Sequence, residues 1–174
     1  MAGALILGID PGLSGALALV DIYTGALVDV IDVPVLALKN GREIDEYRLA
    51  AQVDQWAPNL TEAWIERVHS MPGEGVSASF TFGRGYGELR GIVCANFVPL
   101  HDVGAAIWKR AMGVAGDKDE SRKAASALWP SQAHRWPAKK DHGRADACLI
   151  AVYGRRKFMA EHGAGSELRG AAHG

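Results

Sequence analysis

Four side chains in this sequence have the type and the setting to hold a cation. Asp10 ends the apolar run Leu5-Ile6-Leu7-Gly8-Ile9, which Pro11-Gly12 then stops, and Glu66 ends the short run Glu62-Ala63-Trp64-Ile65. A carboxylate among Ile, Leu and Pro is costly to bury unless it is paired or binds a cation. Two strands of one sheet that both finish on an acid bring those acids close together at the sheet edge. His142 and Asp146 stand four residues apart, and on a helix beginning near Asp141 they share one face, about one turn from each other. That face carries two potential metal ligands. Each residue also has a plainer reading: Asp10 as a turn cap beside Pro-Gly, His142 as a surface side chain and Asp146 as half of a salt bridge. The neighbours of Asp146, namely Ala145, Ala147, Cys148 and Leu149, are not those of a solvated carboxylate.

The elements that must position these groups are legible from apolar periodicity and from Gly and Pro. The run before Asp10 reads as a strand buried on both faces. Ala16 to Asp21 and Leu27 to Val33 read as two more strands joined by a turn at Tyr23-Thr24-Gly25, so the chain opens as an antiparallel meander. Tyr47, Leu49, Ala50, Val53 and Trp56 recur at helical spacing over Asp45 to Trp56, with Pro58 ending the helix. Glu62 to Glu66 is the fourth strand, Phe82 to Val93 a glycine-loosened helix, and Asn96 to His101 the fifth strand. Helices follow at Ala105 to Met112, at Glu120 to Leu128 and from Asp141 onward. Asp141 itself is expected to cap that last helix by accepting a backbone N–H near Gly143 or Arg144.

With 174 residues, 48% of them hydrophobic and 22% charged, the chain suits one soluble globular domain. We place it at residues 1–160, with a disordered tail at 161–174 where Gly, Ala and Ser dominate. No apolar run approaches the length of a membrane span, and the expectation is a cytoplasmic protein without membrane association. Cys94 and Cys148 lie far apart with no CxxC partner, which argues against a disulfide or zinc site. The net charge of -1 hides an asymmetry: residues 1–60 hold three basic and eight acidic side chains, residues 105–174 thirteen and seven. A basic C-terminal third is what a polyanion-binding surface needs, although a solvated face of mixed charge is the commoner cause of such runs.

The order of the acids, first-strand Asp10, fourth-strand Glu66 and then His142 and Asp146 on a late helix, resembles the RuvC-like Holliday junction resolvases of the RNase H-like superfamily, in their phage and prophage form. The resemblance covers roughly residues 4 to 157. It rests most on Gly8-Ile9-Asp10-Pro11-Gly12, Ile65-Glu66, Phe82-Gly83-Arg84-Gly85-Tyr86-Gly87, Trp108-Lys109 and Lys140-Asp141-His142-Gly143-Arg144-Ala145-Asp146-Ala147. It implies an α/β RNase H-like fold, a five-stranded mixed sheet of an antiparallel three-strand meander plus parallel strands flanked by helices. It further implies a crossover junction endodeoxyribonuclease in which Asp10, Glu66, Asp146 and His142 bind two Mg2+ ions, Mn2+ substituting, and cut branched DNA as a homodimer formed through Phe82 to Ile92. Many relatives space the two late ligands three residues apart, so Asp141 competes with His142 for the fourth position. Lys109, Arg110, Lys118, Arg122, Lys123, Lys139, Lys140 and Arg144 become candidate phosphate contacts. Phe80 and Phe82 become candidates to stack on unpaired bases, beside their plainer reading as core aromatics.

Other classes share parts of this pattern. A sugar- or acetate-type kinase of the actin-like fold also begins strand, Gly-Ile-Asp-x-Gly, strand, but needs a second such domain, and Gly8 to Gly15 has no repeat in the chain. A non-catalytic branched-DNA or partner-binding relative, or a ribonuclease H acting on RNA–DNA hybrids, would keep the fold. The first of these is disfavoured by the presence of all three acids.

Overall fold

The computed structural model describes residues 4–69, 73, 75–114 and 118–170, with backbone alone at 118 and 164–170. Strand β1 (Leu5–Asp10) pairs antiparallel with β2 (Ala16–Asp21), which pairs antiparallel with β3 (Leu27–Asp32). On its other edge β1 pairs in parallel with β6 (Leu60–Arg67), and β6 in parallel with β7 (Leu100–Gly104), giving the order β3-β2-β1-β6-β7. This is the five-stranded mixed sheet expected from the sequence. The turn between β2 and β3 is held by Asp21, whose Oδ1 accepts from the backbone N–H groups of Tyr23 and Thr24, while Gly25 takes φ 71°.

Strand alternation divides the core into two layers. Leu5, Leu7 and Ile9 of β1, with Leu17 and Leu19 of β2, face helices α1 (Glu46–Trp56) and α2 (Val76–Ala95). Ile6, Ala16, Ala18 and Val20 face the opposite layer, built from α3 (Ala105–Met112), α4 (Lys118–Leu128) and α5 (His142–Gly170). By the same period of two, Asp10 and Glu66 belong to the α5 side. That face carries small residues where α5 crosses it. A Cβ on Gly8 would fall inside the van der Waals envelope of the Ala147 carbonyl oxygen and the Ala151 nitrogen, so backbone lies against backbone.

Several boundaries differ from the sequence reading. Helix α2 begins at Val76 rather than Phe82, since Ser77, Ala78 and Ser79 carry nothing that stops a helix. Strand β7 begins at Leu100, not Asn96, because Asn96 and Phe97 finish α2: Asn96 Nδ2 donates to the Ile92 carbonyl, and Phe97 takes the left-handed φ of 58°. Val98 then drops into the core. A hairpin of β4 (Val35–Leu38) and β5 (Gly41–Ile44) was not foreseen at all. Helix α5 starts at His142 after a 3-10 turn over Lys139–Asp141, and it continues to Gly170 through 161–170, which the sequence reading had assigned to a disordered tail. Ala, Glu, Leu and Arg in that stretch are good helix formers. No helix among the described residues is long and apolar enough to cross a membrane.

The nearest neighbours of Gly8 are backbone atoms, which cannot turn aside as a side chain can. Gly8→Ala is expected to cost about 3 kcal/mol by overpacking, lowering the melting temperature by roughly 6–12 °C for a chain of this size. Calorimetry on both proteins checks this, and an unchanged melting point would mean that α5 lies farther from β1.

Candidate active site

Asp10 is the last residue of β1, and Glu66 sits one step beyond the Ile9–Ile65 pair of the parallel β1–β6 ladder. The two acids are therefore level on adjacent strands and on the same face. The chain leaves β1 through a tight turn in which Gly15 donates to the Gly12 carbonyl at 3.1 Å and Gly12 takes φ 126°. Helix α5 enters over this turn. A Cβ on Gly143 would stand 2.6 Å from the Ser14 carbonyl oxygen and 3.0 Å from Asp10 Oδ2, so only glycine lets the first turn of α5 settle against the acid.

Glu66 is held from a second direction. The indole of Trp108, fully buried on α3, donates to Glu66 Oε2 at 2.7 Å. Burial pushes the Glu66 carboxyl above the usual glutamate range, the negative charge of Asp146 adds to this, and the Trp108 bond and the Lys109 charge work against it. The upward shift means that desolvation and like-charge repulsion win. Asp146, half-buried one turn into α5, is thus electrostatically part of the same site. His142 Nδ1 lies 3.1 Å from the Lys139 carbonyl. A carbonyl only accepts, so Nδ1 is the donor in that bond, and in the neutral ring Nε2 is the nitrogen that carries the lone pair. His142 and Asp10 both line a cleft of about 1040 Å³, whose other walls come from the β1–β2 turn, the β4–β5 hairpin and the first half of α2. Glu66 and Asp146 do not line it.

Asp141 behaves differently from expectation. Its Oδ2 accepts from the Ala138 N–H at 2.9 Å, upstream across the 3-10 turn, rather than from Gly143 or Arg144. The helix starts one residue later than the sequence suggested, and Asp141 closes the turn that precedes it.

Among the described residues no three His, Cys, Asp or Glu side chains form a ready cluster around one point. The donor set still fits a hard divalent ion. Magnesium takes one or two protein carboxylates and completes its shell with water and substrate phosphate, so it needs no closed protein cage. Asp10 and Glu66 supply such a pair, with Asp146 adjoining.

The basic candidates separate into two groups. Arg144 forks onto both Asp32 oxygens at 2.6 Å and also donates to the Arg135 carbonyl, tying α5 to β3. Arg122 donates to the carbonyls of Trp136 and Pro137 and to Asp119. Both therefore act within the fold. Lys109 sits near Glu66, its Nζ 5.3 Å from the Trp108 ring centroid. Lys139 pairs with Asp119 at 3.1 Å yet stays 75% exposed, and Lys123, Lys140 and Arg110 are exposed. The Lys118 side chain lies outside the described residues. Phe80 is 73% exposed at the cleft, and the Phe82 ring rests over Gly12. Sequence reasoning placed Trp108 and Gly143 within the motifs that carry the resemblance but gave neither a role. Glycine at the second position of a helix was the available signal for the latter.

The sheet order, the strand-end acids and the helix laid across them define the class as an RNase H-like fold in the form found in RuvC. The structure of Thermus thermophilus RuvC in complex with Holliday junction substrate matches with a TM-score of 0.62 and 20% identity, over 92% of this chain and 96% of that one. A second Thermus thermophilus RuvC structure matches with a TM-score of 0.59 and 21% identity, over 91% and 96%. In sequence, the chain is 32% identical over 114 residues to the chloroplastic Holliday junction resolvase MOC1 of Chlamydomonas reinhardtii. That match takes in 64% of this chain and 13% of the relative, so the chain spans a small part of that protein's length. No protein-family model matches the chain.

A carboxyl whose pKa is raised by folding binds protons more readily in the folded state. Glu66 is therefore neutral to stability below the ordinary glutamate range, and stability falls as the pH rises from that range, the full loss being reached above the raised value. Glu66→Gln should accordingly raise the melting temperature at pH 8 in chelator, and the gain should vanish near pH 4. Added Mg2+ should raise the melting point of wild type and not that of the variant. Melting curves at the two pH values, with and without the ion, decide this; a variant less stable at pH 8 in chelator would contradict the assignment.

Proposed function

We propose that the chain is a metal-dependent, structure-selective DNA endonuclease, a crossover junction endodeoxyribonuclease acting on four-way or otherwise branched DNA. The observation that carries this reading is the placement of Asp10 and Glu66 level on adjacent parallel strands, with the glycine-lined start of α5 against Asp10 and Asp146 within electrostatic reach of Glu66. The likeness to RuvC and to MOC1 supports the substrate class.

In this reading Asp10, Glu66 and Asp146 hold two Mg2+ ions, for which Mn2+ substitutes, and His142 is the fourth ligand. When bound, such ions supply an acidified water and charge neutralisation at a scissile phosphate. The chain's own residues do the rest. Trp108 fixes which Glu66 oxygen remains available, and the Gly143 contact fixes Asp10. His142 Nε2, freed by the bond at Nδ1, either ligates or accepts a proton. Lys109, Lys123, Lys139, Lys140 and Arg110 meet phosphates, Lys118 is assigned the same role from its sequence position, and Phe80 and Phe82 stack on bases unpaired at the branch.

Two copies joined through Phe82 to Ile92 would set two sites against the two strands of one junction. Gly83, Gly87 and Gly91 recur along the exposed side of α2 with open space at each Cβ, which supports close approach of a second helix there. The free thiols of Cys94 and Cys148 suit a reducing, cytoplasmic setting.

Cleavage of a four-way junction in Mg2+, compared with an RNA–DNA hybrid and a linear duplex, tests the reading; preference for the hybrid would make the chain a ribonuclease H. Asp10→Asn should lower cutting by at least about a hundredfold, the upper end of what losing an outer-shell partner costs, while junction binding persists. Binding without cutting by wild type itself would mark a non-catalytic relative. His142→Ala should remove most cutting with little effect on melting, because the side chain is partly exposed. Asp141→Ala should keep substantial cutting and lose on the order of 1 kcal/mol of stability with the turn it closes. The reverse pattern would make Asp141 the fourth ligand.

A further inference from the structure

The cleft beside Asp10 has a wall that the proposed function does not use. The β4–β5 hairpin is fastened to the body at its base: Ile44 is buried, a Cβ on Gly85 of α2 would lie 3.2 Å from Ile44 Cδ1, and Asp45 N donates to the Pro34 carbonyl at 2.9 Å. Its free end, with Gly41 at φ 131°, stands over the cleft. The hairpin is thus a fixed projection with a solvent-facing tip.

The charges lining this cleft are unequal in commitment. Arg84 is taken up by Glu43 at 2.9 Å and Glu88 at 3.2 Å, which neutralises the Glu43 carboxylate as well. Arg42, exposed at the hairpin tip, joins no ion pair among the described residues; its one side-chain hydrogen bond among them is a long one to Ser14 Oγ at 3.4 Å. Ser14 belongs to the turn that follows Asp10, and a Cβ on Gly143 would crowd both the Ser14 carbonyl and Asp10 Oδ2. The guanidinium is therefore tethered weakly, one residue's contact away from the acid. Leu38 at 49% and Phe80 at 73% exposure give the same cleft apolar surface on either side. A fork of N–H donors on a rigid stem, beside apolar walls, matches a phosphate with its attached nucleoside.

We propose that Arg42 grips a backbone phosphate of the nucleic-acid strand lying in this cleft and so positions the neighbouring phosphodiester for Asp10. Arg42 is a positioning residue, and the inference rests on the nuclease reading above. It adds the hairpin as a contact surface on the acidic first third of the chain, where charge distribution alone placed no DNA contact.

The test compares Asp10→Asn with the double variant Asp10→Asn, Arg42→Ala for binding to a labelled four-way junction across a salt series. Loss of one phosphate contact should weaken binding about tenfold, the worth of one charge-assisted hydrogen bond. It should also reduce the slope of log K against log salt by about 0.9. Arg42→Lys in the same background should restore the slope, because it keeps the charge. In the chain with Asp10 intact, Arg42→Ala should also slow single-turnover cutting at saturating protein, with melting unchanged. An unchanged salt slope overturns the assignment of Arg42 whatever happens to cutting, and it leaves the nuclease reading standing if wild type cuts the junction. A wild-type chain that neither binds nor cuts branched DNA overturns both.

Discussion

The closeness with which α5 is allowed to lie on β1 governs the rest of this structure. Gly8 in the middle of the strand and Gly143 at the head of the helix remove the Cβ atoms that would hold the two elements apart, and Ala145, Ala147 and Ala151 keep the helix side equally shallow. Because a strand shows one face every second residue, lowering the helix onto Gly8 also lowers it onto Asp10, two residues on. Asp146, one turn from His142, is thereby carried over the end of the sheet. With larger residues at those glycines, the first turn of α5 could not settle against Asp10.

That closeness works against folding at the sheet end. Glu66 is partly buried near Asp146, and its raised pKa records the cost of holding a carboxylate there. The Trp108 indole offsets part of it and fixes an orientation at the same time. A divalent ion bound there would remove the remainder of the opposition. The buried aromatic and aliphatic layers on both faces of the sheet supply the stability against which this local cost is set.

The basic third of the chain illustrates how charge counted along a sequence differs from charge available on a surface. Arg144 and Arg122 spend their forked donors on Asp32, Asp119 and main-chain carbonyls, fastening α5 and the 3-10 segment 130–135 to the sheet. Guanidinium groups suit such multiple bonding, whereas the exposed lysines Lys123 and Lys140 keep theirs for solvent or a partner. In the opposite direction, Arg42 sits in an acidic stretch and yet, among the described residues, makes no ion pair and stands over the cleft.

The sequence by itself determined the sheet and which strands carry an acid near their ends. Apolar runs ending on Asp10 and Glu66, the Pro11-Gly12 stop, and the spacing of Tyr47 to Trp56 are local signals, written within a few residues of where they act, and β1, β2, β3, β6, α1 and α3 lie where such signals place them. Tertiary structure alone decided the rest. The hairpin 35–44 carries only weak alternation, and it forms because Ile44 finds a seat against Gly85, forty residues later. Strand β7 and the end of α2 were misplaced because Asn96 and Phe97 can extend a strand or close a helix with equal local ease, and the Ala63 N–H bond to the Pro99 carbonyl settles where pairing begins. Asp141 was read as a helix cap because a carboxylate before a helix ordinarily bonds forward; here a 3-10 turn intervenes and it bonds back to Ala138. Which arginines are free, which indole meets Glu66 and how near α5 comes to Asp10 are pairings between segments tens of residues apart, and no local periodicity encodes them.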